Sequence, residues 1–164
     1  MKLETLSDLY LEQLRDLYSA ETQIIEALPK MEDAASHPEL KQAFREHLEV
    51  TKRQRDRLDQ IFEDLGKSPK GVTCKAMEGL VVEAQELLKQ GGERDVIDAG
   101  LITSAQRIEH YEIAGYGTVA TYAEMLGRRD DHRLLGETLS EEKMADDMLN
   151  RIAKSVVNPE AMEA

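Results

Sequence analysis

One cysteine, Cys74, in a chain of 164 residues leaves no partner for an intrachain disulfide, a usage that fits a reducing cytoplasm. No apolar run approaches the ~20 residues that a bilayer-spanning helix needs. The opening MKLETLSDLY lacks the basic start and apolar core of a signal peptide, so a soluble, cytoplasmic chain is expected. Positive charge is also scarce. Asp and Glu number 33 against 21 Lys and Arg, a net charge of −12. With no basic cluster to offset that sign, neither nucleic acid nor an anionic membrane is expected as a partner. The longest basic run, Lys52-Arg53-Gln54-Arg55, reads as the solvated face of a helix. Strand alternation and low-complexity tracts are absent too.

What remains is helical punctuation. Thr5-Leu6-Ser7-Asp8 has the spacing of a capping box, and apolar periodicity then runs to about Ala35, with Pro29 expected to kink the segment. Ser36-His37-Pro38-Glu39 reads as a second capping box, opening a helix that stops at Gly66. Residues 66–73 form a loop by composition, from which Thr73 caps a short helix over about 74–90. A third long helix is expected over 93–126. The fourth runs from about Asp130 to Val157, stopping before Asn158-Pro159 and leaving a frayed end. Four such helices are each about 40–50 Å long at 1.5 Å per residue and must pack lengthwise. The connections within the first and last pairs are short, and the middle one is long. The predicted fold is therefore all-α, a single domain over residues 1–164: a ferritin-like four-helix bundle with a short crossover helix between the second and third long helices.

Helical spacing sorts the inward faces. The first helix turns in Tyr10, Leu14, Leu17, Ile25 and Leu28, with Glu21 among them; the second turns in Leu40, Phe44, Leu58 and Phe62, with His47 and Thr51. Between His110 and Ala123 the third helix reads HYEIAGYGTVATYA, in which Glu112 carries the only formal charge. In the fourth, Glu142 lies among Leu135, Thr138, Ala145 and Leu149. A carboxylate inside such a face needs a cation, a proton or several hydrogen-bond donors. Three acids and an imidazole from four helices form the ligand chemistry of iron or manganese before zinc. Glu109 and Asp146, one turn away on the flanks, are placed to complete a second ion's shell, and Tyr18 and Tyr116 to donate hydrogen bonds to the ligands. The competing reading is a set of buried carboxylates satisfied by tyrosine, threonine or lysine without metal. No Glu-x-x-His, the usual di-iron motif of such bundles, occurs in the chain.

On the opposite side of the third helix, His110, Ala114, Gly117 and Thr121 follow one another at helical spacing, small or uncharged in an otherwise acidic protein. Gly115 and Gly117 each cost about 1 kcal/mol relative to Ala in a helix interior. The expectation is that another backbone approaches closely there, in a two-fold homodimer; coverage by the short helix 74–90 is the alternative.

The segments YSAETQIIEALPKM (18–31), CKAMEGL (74–80), QRIEHYEIAGYGT (106–118) and EEKMADDML (141–149) resemble the bacterial YciE/YciF stress-protein family, in register over nearly the whole chain. The resemblance implies a ferritin-like helical bundle, usually homodimeric and expressed under stress, with no established reaction. By position it carries over Glu21, Glu49, Glu109, Glu112 and Glu142 as candidate ligands of a rubrerythrin-like two-metal centre, with His47 and His110 as nitrogen donors. The helical wheel sets Glu49 nearly opposite the apolar stripe. Where the family has HLEETH, the chain has His47-Leu48-Glu49-Val50-Thr51-Lys52. Two functions follow: a carboxylate-bound pair of irons or manganeses reacting with oxygen or peroxide, or a metal-free dimeric module acting through protein contacts under stress.

Overall fold

Thr5 opens the first helix, α1 (Leu6–Ala34), through a reciprocal capping box: its Oγ1 accepts from Asp8 N at 3.1 Å, while Asp8 Oδ2 accepts from Thr5 N at 2.8 Å. Pro29 lies within α1 without ending it. The computed structural model describes residues 1–164, all of them helices and their connections. No helix is long and apolar enough to cross a membrane.

The second helix, α2 (Pro38–Leu65), is capped by His37, not Ser36, and ends at Gly66 in a left-handed conformation (φ 62°). The shift from Ser36 is local: His37 precedes Pro38, which keeps it extended and out of the first helical turn, and its Nδ1 accepts from Glu39 N at 3.3 Å. Asp98, 1% exposed on α4 (Arg94–Met125), accepts from the backbone N–H of both Ser36 and His37 at 2.8 Å. One carboxylate of α4 thus pins the connection between α1 and α2. Asp98→Ala should lower unfolding stability by about 1–2 kcal/mol, read as an earlier urea midpoint with unchanged slope.

The short helix α3 (Lys75–Gln90) starts one residue later than Thr73 would set it, because Cys74 is the cap and its Sγ accepts from Met77 N. Ser19 and Gln23 of α1 hold the Cys74 backbone at 2.9 and 3.1 Å. After α5 (Arg129–Ile152) comes one π-helical turn, Ala153–Val157, then α6 (Asn158–Glu163). The helix therefore does not stop before Pro159. In the wide turn Asn158 N–H bonds Ala153 O, five residues back. Pro159 then enters at the start of α6, where a missing N–H costs little.

Helix α1 packs on α2, α4 on α5, and each pair meets the other through α1–α4 and α2–α5 contacts; α3 lies against α1 and α4. The apolar interior falls into two parts. Tyr10, Leu14, Leu58, Phe62, Val119 and Leu135 fill one; Ile24, Leu28, Phe44, Leu101, Ile108 and Leu149 fill the other. On α1 the inward isoleucine is Ile24 (1% exposed), while Ile25 is only half-buried. Along each long helix one polar position separates the parts: Glu21, the His47–Gln54 stretch, Glu109–Glu112 and Glu142. A layer of polar side chains thus crosses the interior at mid-length. Gly115 belongs to this packing and not to a partner chain, since a Cβ there would stand 2.7 Å from Leu17 Cδ2.

Candidate metal centre

Glu21 from α1, Glu112 from α4 and Glu142 from α5 are each fully buried, and Glu109, one turn before Glu112, is 3% exposed. They form two groups. One ligand atom from each of Glu21, Glu112 and Glu142 lies within 4.8 Å of the others; the same holds for His47, Glu109 and Glu142. Glu142 belongs to both. His47 Nε2 is 3.1 Å from Glu109 Oε1 and 3.8 Å from Glu142 Oε1, yet it is aligned to hydrogen-bond neither.

The surrounding polar groups leave these acids largely unserved. Tyr116 donates to Glu21 Oε1, but Glu21 Oε2, Glu109 Oε2 and both oxygens of Glu112 and Glu142 have no partner. The Thr51 hydroxyl donates to His47 O at 2.7 Å, and that of Thr138 accepts from Arg57. Arg57 itself pairs with Glu141 and Glu137. Tyr116 serves Glu21 alone, and the acids otherwise lie against one another, Glu21 on Glu112 and Glu109 on Glu142. Burial pushes Glu21 up to about 8 and Glu109 to about 7, with the charge of Glu142 adding to the first and that of Glu21 to the second. Glu112 and Glu142 rise well above the ordinary carboxylate range, first from burial, then from the charge of Glu142 on Glu112 and of Glu109 on Glu142. Tyr116 is held as the neutral phenol by burial and by the Glu21 charge beside it. Buried acids with so few hydrogen-bond donors must hold protons or a cation. Convergent buried oxygens with one imidazole nitrogen fit a metal ion in each group.

Of the residues proposed as ligands from sequence, the structure brings together Glu21, His47, Glu109, Glu112 and Glu142. It sets Asp146 apart: that carboxylate accepts from Gln106 at 3.2 Å and pairs with His110 Nε2 at 3.2 Å, outside both groups. His110 is 65% exposed, and Glu49 is an exposed partner of Lys52. Tyr18 packs edge-on against Phe62 instead of serving Glu21. Gln54, which the basic run had hidden, is fully buried, with its Oε1 unpartnered. The spacing His47, Thr51, Gln54, Leu58 is the signal that would have placed it inside.

The family described as a domain of unknown function (DUF892) matches residues 5–162. Protein YciF of Escherichia coli is 46% identical over 162 residues, 98% of each chain. The crystal structure of that stress protein superposes with a TM-score of 0.91 at 47% identity, covering 94% of this chain and 98% of the other. YcfI of Rhodopseudomonas palustris, named provisionally as a structural protein, gives 0.88 at 47% identity, covering 91% and 95%. A protein from Xanthomonas campestris gives 0.77 over 97% and 98% of the two chains, at 18% identity, a likeness of fold alone.

Proposed function

The chain belongs to the DUF892 family, and from that premise we propose that it is a cytoplasmic, ferritin-like four-helix bundle with α3 as its crossover helix, holding two iron or manganese ions for stress protection. Glu21, Glu112 and Glu142 hold one ion; His47, Glu109 and Glu142 hold the other. The observation that carries this reading is the set of buried carboxylate oxygens, with one imidazole nitrogen, left without any partner in two groups that share Glu142. The oxygen-rich donor set favours iron or manganese over zinc. Such ions, when bound, supply redox chemistry on oxygen or peroxide. The chain's own part is to exclude water with the two apolar layers and to keep a phenol proton on Tyr116, hydrogen-bonded to Glu21. The link to stress comes from the E. coli relative's designation.

Metal analysis of protein purified without chelator tests this: about two ions per chain are expected, falling in Glu112→Ala. Protein that takes up neither Fe(II) nor Mn(II) when each is supplied refutes it.

The metal-free dimeric module is favoured by a different observation, the face of α4 on which His110, Ala114 and Thr121 are exposed. We propose that this face pairs with its counterpart in a second copy, whether or not metal is bound. Ala114→Glu should halve the mass seen in sedimentation; an unchanged mass removes the interface.

A further inference from the structure

A cavity of about 300 Å³ lies among the long helices beside the second ion group, with thirteen of its seventeen lining residues hydrophobic. Ile24, Leu28, Phe44, Ile108 and Leu149 form its buried walls. Its exposed lining, Glu46, Met144 and Met148, belongs to α2 and α5, so it opens between those helices. Among its polar residues are His47 and Glu109, two of the three residues in that group. We propose that this cavity binds a neutral, unbranched hydrocarbon chain of about eight to ten carbons, with one end beside His47 and Glu109.

Size and charge both select that class. An apolar cavity of roughly 150 Å³ takes one benzene, so twice that volume takes a chain of about this length. Every ionisable lining residue other than His47 is acidic: Glu46 and Glu141 along with Glu109. Arg57, beside Glu141, is already paired with Glu141 and Glu137. An anionic head group would meet the carboxylates of Glu46 and Glu141, which disfavours a fatty acid. Met144 is 68% exposed and Met148 39%, one turn apart on α5. Their flexible apolar side chains suit an entrance that must fit a chain of variable conformation. That the occupant is acted on by the ions rests on the metal reading above; its binding does not.

The test is calorimetric titration of the full-length, chelator-treated protein with 1-octanol, and with octanoate as the charged control. Saturable binding of one octanol per chain is expected, with octanoate at least about tenfold weaker. Met144→Glu and Met148→Glu, at exposed positions where folding is not at stake, should each weaken octanol about tenfold by charging the entrance. No saturable heat up to the solubility limit of octanol, or equal affinity in both variants, overturns the proposal. Ion content after loading is measured on the same samples. Octanol binding without ion uptake overturns only the metal reading, and ion uptake without octanol binding overturns only this one.

Discussion

Glu142→Gln is expected to empty both ion positions at once. Metal content should fall from about two ions per chain to background, whereas His47→Ala removes only the ion that His47 helps to hold. The difference follows from Glu142 being the one side chain common to both groups. Glutamine matches the carboxylate in shape but presents a neutral amide, so the buried α5 position keeps its packing and loses its charge. Titration of each variant with Mn(II), followed by metal analysis of the desalted protein, distinguishes the cases. Equal retention by Glu142→Gln and His47→Ala would mean that the two groups do not share a ligand.

Without metal, the protein should become less stable as pH rises. Glu21 and Glu109 bind their protons up to about 8 and about 7 in the folded chain, against about 4.3 for glutamate when unfolded. Between those limits the folded state holds more protons than the unfolded one, so stability decreases with pH. The contribution is fully present below about pH 4.3 and is lost as Glu109 and then Glu21 ionise near pH 7 and 8. Urea unfolding of chelator-treated protein at intervals from pH 5 to 9 reads the slope directly, and a rising or flat profile across neutral pH contradicts it. Glu142→Gln should end the decline at a lower pH, since it removes one of the influences that raise Glu21, while burial, the larger one, remains. Added metal should reverse it, because ions compete with protons for the same oxygens and bind more tightly at higher pH.

How much of this was legible in the sequence depends on whether the deciding force is local. Glu21, Glu112 and Glu142 stand out because each interrupts an apolar stripe of 3.6-residue period, and all three are buried. His47 lies on its stripe in the same way. Glu109 was placed on a flank, yet α4 is covered on several sides, and its inward face is wide enough to include both Glu109 and Glu112. Asp146 shares a face with Glu142 by spacing alone, but there α5 meets Gln106 and His110 of α4, which take up the carboxylate. The cap of α2 is His37 and not Ser36 because Pro38 keeps the residue before it extended, which local sequence does show. Asp98, which accepts from His37 N sixty-one residues away, lies in no local window. The π-helical turn before Pro159 is equally invisible, since proline usually marks an end and here a wider turn absorbs it.

Because each long helix is anchored on both sides by hydrocarbon and carries its buried acids and imidazole near the midpoint, the scaffold separates what makes it fold from what could bind a ligand. Exchanging the midpoint side chains, as Thr51 and Gln54 already stand where other acids or imidazoles would fit, leaves two intact oily halves to hold the rods in place. Such a protein can change its reactive inventory one residue at a time without first solving its folding problem again.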